Sequence, residues 1–80
     1  MTRSDIFSEL TPVFRDVFNQ PGLILTEDLT ANDVDNWDSL SHMVMITEVE
    51  QRFNIKFKLR DINKMRNVGD LVTILSERIA

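Results

Sequence analysis

Cysteine is absent from this chain, which excludes a disulfide framework and any thiolate metal site, and is compatible with a reducing compartment. A single histidine, His42, leaves a structural zinc site without ligands. With only two glycines there is no Gly-rich phosphate loop. No apolar run approaches the ~20 residues of a membrane-spanning helix. The opening Met1-Thr2-Arg3-Ser4-Asp5 carries no apolar signal segment either. These absences lead to an expectation of a cytoplasmic protein without a membrane span. The shortage of stacking aromatics and the acidic balance argue against a nucleic-acid partner.

Eighty residues with 42% hydrophobic content suit one small domain, spanning 1–80. The net charge of -4 conceals a division. From Asp16 to Gln51 there is no Lys or Arg, and the carboxylates of Asp16, Glu27, Asp28, Asp33, Asp35, Asp38, Glu48 and Glu50 give that segment -8. From Arg52 to Arg66 the sign reverses to +5, through Arg52, Lys56, Lys58, Arg60, Lys64 and Arg66 against Asp61. A solvated surface is one reading of the acidic segment. The other is long-range attraction of basic partners.

Helical spacing of apolar residues organises the chain. Ile6, Leu10, Val13, Phe14 and Val17 form a first stripe, widened by Phe7 and Phe18. Pro12 should either kink this helix or open its main body after Thr11 as N-cap. Asn19-Gln20-Pro21-Gly22 ends it, and a long loop to Asp38 follows, pinned by Leu23, Leu25, Leu29 and Val34. A second helix runs from Ser39 to Phe53 without Gly or Pro, with His42, Met45, Ile46, Val49 and Phe53 on its core face. Val49 and Phe53 are expected to pack against Phe14 and against Leu71 or Leu75. Asn54 to Lys58 alternates in polarity but has no partner strand, so it reads as an extended link. Leu59 to Met65 suits a short helix with Leu59, Ile62 and Met65 inward. The last helix opens at Asn67 with Asp70 completing a capping box, and carries Val68, Leu71, Val72, Leu75 and Ile79. The expected fold is an all-α four-helix bundle, three longer helices and one short one, with a long loop between the first and second.

Chemistry concentrates where the acidic loop meets the second helix. Asp38 is a favourable N-cap, which makes Ser39 the first helical residue, with its hydroxyl at the surface. A phosphate ester there would lie at the positive end of the helix dipole. Asp38, Ser39 and His42 also invite a hydrolase reading, but no Gly-x-Ser-x-Gly elbow is present and residues this close in sequence rarely form a triad, so no catalytic residue is assigned. Asp33, Asp35 and Asp38 invite calcium. The spacing fails, with Trp37 at the fifth loop position and Val44 where a bidentate Glu belongs, so no metal is expected.

Asp38-Ser39-Leu40 at a helix start resembles the attachment site of acyl carrier proteins. Glu50-Gln51-Arg52-Phe53-Asn54-Ile55-Lys56-Phe57 is similar to the exit from that family's second helix, and Asn67-Val68-Gly69-Asp70-Leu71-Val72 to the opening of its last. The resemblance covers essentially the whole chain and implies a free-standing carrier rather than an enzyme. It implies 4'-phosphopantetheine, taken from coenzyme A, on Ser39. Asp38 and Leu40 complete the motif, and His42 lies one turn on, within reach of the arm's phosphate. A lone histidine is nevertheless more often a packing residue. Implied partners are a phosphopantetheinyl transferase, an acyl-loading ligase or acyltransferase, and condensing or transfer enzymes, all serving a monomer. Leu40, Val44, Thr47 and Gln51 would form the recognition face, with Asp33 and Asp35 supplying attraction. Many carriers of fatty-acid synthesis have an acidic residue directly after the motif. Ser41 stands there instead, which points to a specialised lipid or polyketide-type pathway. The rival readings are an aminoacyl or peptidyl carrier loaded by an adenylating ligase, and an unmodified helical interaction module.

Overall fold

The computed structural model describes residues 1–79. Helix α1, Arg3–Val17, opens with a reciprocal cap: the Asp5 N–H donates to the Thr2 hydroxyl at 3.1 Å, and the Thr2 N–H donates to the Asp5 carboxylate at 3.0 Å. Pro12 neither starts a new helix nor ends this one; α1 runs through it. The carbonyl that Pro12 leaves without its usual donor belongs to Ser8, and both residues are exposed, so water can take that bond. On the opposite side Ile6, Leu10, Val13 and Phe14 are buried, which outweighs the proline's cost.

The loop from Phe18 to Asp38 contains one 3₁₀ turn, Ala31–Asp33. Val34 is buried and Leu23, Leu25 and Leu29 pack against the core, as the sequence implied. Two loop carbonyls do further work. Leu29 accepts from the Val68 N–H at 2.9 Å and Glu27 from the Gly69 N–H at 2.8 Å, satisfying the first donors of the last helix. Gly69 is required here, because a Cβ would lie 2.8 Å from the Glu27 carbonyl oxygen.

Helix α2, Ser39–Phe53, buries Met45, Ile46 and Val49 in the core it shares with α1 and α4, and lies against α1. Phe53 was expected at full burial beside Val49, but is only partly buried, since it closes the helix just before Asn54 turns into the left-handed region at φ 55°. After that turn, residues 55–58 form the expected link to the short helix, with no strand among the described residues. The short helix α3, Leu59–Asn63, ends earlier than the sequence suggested. Ile62 and Met65 pack against the core as expected, but Leu59 does not. Leu59 is 74% exposed, and Asp61 is buried instead. Its carboxylate accepts the Lys58 N–H at 3.0 Å and pairs with Arg78, so α3 is tied to the end of the next helix by charge. The Lys58 bond and the Arg78 guanidinium hold the carboxyl below its ordinary value of 3.8.

Helix α4, Val68–Ile79, buries Val68, Leu71, Val72 and Leu75. Asn67 accepts the Asp70 N–H at 2.8 Å, as a cap should. The return bond is displaced by one residue: the Asp70 carboxylate takes the N–H of Arg66, at 3.0 Å, rather than that of Asn67. Helix α1 lies against both α2 and α4, and the buried residues of all three make one core.

Burial ranks the aromatic truncations. Phe14→Ala, at a fully buried site, should lower the unfolding free energy by ~3–5 kcal/mol. Phe53→Ala should cost clearly less. Urea unfolding of the two variants measures both, and an equal or larger loss at Phe53 would contradict this arrangement of the core.

Candidate functional site at the start of helix α2

Two residues on either side of Ser39 lock the helix start. The Ser41 N–H donates to the Asp38 carboxylate at 2.9 Å, and the Asp38 N–H donates to the Ser41 hydroxyl at 2.8 Å. That hydroxyl in turn donates to the Asn36 carbonyl at 2.6 Å. These bonds hold the Asp38 carboxyl below its ordinary 3.8, the Ser41 backbone and side chain being the main causes. Asp38 is therefore the cap that the sequence indicated. Ser41, read from the sequence only as standing where many carriers have an acidic residue, is the other half of that cap.

Ser39 lies between them, exposed, and its hydroxyl makes no hydrogen bond among the described residues. At the first helical position it stands beside N–H groups that have no intrahelical acceptor. An anion on this oxygen would be stabilised there by typically ~0.3–1 kcal/mol. The residues present thus suit a phosphate ester on Ser39: an unencumbered primary hydroxyl at a positive helix end.

Trp37 is what positions this corner on the bundle. Its ring lies 5.5 Å from that of Phe14, edge-on, and 5.1 Å from that of Phe18. On its other side it stacks on His42, with ring centres 6.0 Å apart, and its Nε1–H donates to His42 Nδ1 at 3.0 Å. The left-handed Asn36, at φ 70°, turns the chain so that the indole points inward, and its side-chain amide donates to the Phe18 carbonyl at 3.3 Å. His42 is thus a packing partner. Burial pushes its pKa below the ordinary 6.5. With Nδ1 accepting, the neutral ring keeps its proton on Nε2, so it offers an arm phosphate a donor but no charge.

A groove of about 520 Å³ runs beside Ser39, walled by Trp37, His42, Met43, Met65 and Arg66. Met65 and Arg66 come from the segment after α3, and neither stood out as a site residue in the sequence. Met65 had been read only as an inward residue by its spacing, and Arg66 only as a member of the basic run.

The outward side of α2 is as expected. Leu40 is 77% and Val44 47% exposed, and Thr47 and Gln51 are exposed as well. Met43 joins them. Glu50 does not, because its carboxylate accepts the Phe57 N–H at 2.8 Å. Of the loop carboxylates, Asp33 is occupied by the Thr30 N–H and hydroxyl, at 3.0 and 3.1 Å, while Asp35 is exposed and makes no such bond. Among the described residues no cluster of His, Cys, Asp or Glu could hold a metal ion.

The depressed His42 pKa fixes a sign. The unfolded chain takes up this proton near pH 6.5, whereas the folded protein resists it until lower pH. Stability from this site is present in full above about pH 6.5 and is lost as pH falls toward the folded value. The depressed carboxyls of Asp5, Asp38 and Asp61 act separately, their contribution fading only below about pH 4. Chemical unfolding between pH 7.5 and 5 should therefore show a decline that His42→Gln flattens. An equal slope in both proteins would mean that His42 is not held neutral by the fold.

The sequence matches the family profile described as "phosphopantetheine attachment site" over residues 8–75. It is 26% identical over 76 residues to an acyl carrier protein of Kineococcus radiotolerans, covering 95% of this chain and 94% of that one. The fold is similar to the solution NMR structure of a holo acyl carrier protein from Geobacter metallireducens, at a TM-score of 0.86 and 44% identity, over 91% of this chain and 84% of that chain. A profile match across most of the chain, and a close fold match at that identity, agree with the capped serine and the four helices: this chain belongs to the phosphopantetheine-attachment family of acyl carrier proteins.

Proposed function

We propose that Ser39 carries the 4'-phosphopantetheine, and that the protein shuttles acyl intermediates on it between separate enzymes. The observation that carries this reading is the exposed, unbonded Ser39 hydroxyl at a helix start locked by its neighbours. In the loading reaction Ser39 Oγ attacks the pantetheine-bearing phosphorus of coenzyme A. The Oγ–P bond forms, the bond to the adenosine bisphosphate leaving group breaks, and the hydroxyl proton passes to a base on the transferase. The protein itself supplies position: a fixed helix start, no competing hydrogen bond, and a dipole favouring the new anion. When bound, the arm supplies a terminal thiol that holds acyl groups as thioesters.

The helix-two surface supports docking by apolar contact. Leu40, Met43, Val44 and Thr47 present little charge, and Val44 also borders a groove against Val13 and Val17 of α1. The transferase and the acyl-handling enzymes would meet the monomer here, with Gln51 at the far end and Asp35 and Asp33 adding attraction from the loop. Ser41, spent on the cap, leaves the position after the motif without a carboxylate. That favours partners of a specialised lipid or polyketide-type pathway in the cytoplasm.

Incubation with coenzyme A and a broad-specificity phosphopantetheinyl transferase should add the mass of one arm, and Ser39→Ala should abolish the gain. An unshifted wild-type mass, when a control carrier is loaded, would sink the assignment. Docking separates into two kinetic effects. Val44→Asp should speed dissociation from the transferase at low and high salt alike. Neutralising Asp33 and Asp35 should slow association, a defect that fades as salt screens it over a Debye length of ~8 Å. A Val44→Asp protein that binds as tightly as wild type would remove α2 as the docking surface.

A further inference from the structure

Most arginines here are occupied. Arg3 pairs with Glu27 at 2.6 Å and Arg52 with Glu9 at 2.7 Å, Arg78 is held by Asp61, and Arg15 donates to the Leu23 carbonyl. Arg66 differs. Its backbone is fixed, with the N–H on the Asp70 carboxylate, yet its guanidinium makes no hydrogen bond or ion pair among the described residues. It forms part of the same groove wall as Ser39. It is the one cationic side chain on that wall: His42 is kept neutral by burial, and Asp38 is an anion committed to its cap.

We propose that Arg66 is a positioning residue for the arm, its guanidinium pairing with the phosphodiester on Ser39 so that the arm lies back along the groove over Trp37, Met43 and Met65. This rests on Ser39 being the attachment residue. The groove, of about 520 Å³, is of the size that holds small molecules, and its indole and thioether walls suit the arm's methyl-bearing chain. A planar guanidinium matches a phosphodiester's two free oxygens. Arg66 is exposed, so the pair is weak, and a weak clasp is what delivery needs. The docked arm shields its thiol between partners and swings out readily when one arrives.

The test uses the coenzyme A-loaded protein as wild type, Arg66→Gln, Arg66→Lys and, as control, Arg60→Gln, each checked by mass for one added arm. A wild type that takes no arm overturns the Ser39 reading and this proposal with it. The readout is the alkylation rate of the arm thiol by iodoacetamide at low salt and at about 1 M salt. Arg66→Gln should react faster than wild type at low salt by roughly two- to fivefold, what an exposed ion pair is worth. The difference should vanish at high salt, and Arg66→Lys should restore part of the protection. The direction is diagnostic, because losing a nearby cation by itself raises a thiol's pKa and would slow alkylation. Trp37, the one tryptophan, should also change its emission on loading in wild type and less so in Arg66→Gln. Equal thiol rates in wild type and Arg66→Gln, or an equal acceleration in Arg60→Gln, would overturn the proposal.

Discussion

The exchange of hydrogen bonds between Asp38 and Ser41 is the constraint on which the functional end of this protein depends. Each residue satisfies the other's backbone N–H, and the Ser41 hydroxyl also grips the Asn36 carbonyl. Three residues of the chain's path into α2 are thereby fixed. Ser39, caught between the two partners at the first helical position, has no part in the cap, so its hydroxyl is left outward. On the proposed reading, the attachment position is presented by building its neighbours rigidly, with no activation of the serine itself.

The aromatic corner does for the loop what the cap does for the helix. Trp37 is wedged between Phe14 and Phe18 of the first helix region and His42 of α2, so the residue before the cap is anchored in the core. The far end of the loop is stitched to α4 through the Glu27 and Leu29 carbonyls, and Arg3 braces the same junction through Glu27 and the Gly69 carbonyl. A long connection is thus ordered by a few polar bonds and four apolar pins. The charge division has a parallel logic. Asp61, the one carboxylate of the basic run, is turned inward onto Arg78, so the exposed charge of residues 56–66 is wholly cationic.

Much of this was legible in the sequence wherever a local rule governs. Helical periodicity located the buried residues of α1, α2 and α4, and Asp38 followed from capping preference. The uncharged outer face of α2 could likewise be read from spacing. The misreadings lie where tertiary context overrides such rules. Of the two readings of Pro12, a new helix start is the one that fails: it sits within α1, where the Ser8 carbonyl it strands is on an exposed face. Leu59 was expected inward by its spacing to Ile62 and Met65, but a five-residue helix is oriented by its charged anchor, Asp61, instead. The Trp37–His42 bond joins a loop to a helix through side-chain atoms, which no periodicity encodes. Arg66 looked like one cation of six until folding brought it to the groove beside Ser39.

The locked helix start is in place before modification and should change little when Ser39 receives an arm. Amide correlation spectra of the unloaded and coenzyme A-loaded protein test that directly. Shifts should be confined to Ser39, Leu40, Ser41, the Trp37 indole and the residues around Arg66, with α1 and α4 unmoved. Shifts spread through the buried residues of α1 and α4, or an unchanged Ser39 in a loaded protein, would contradict it.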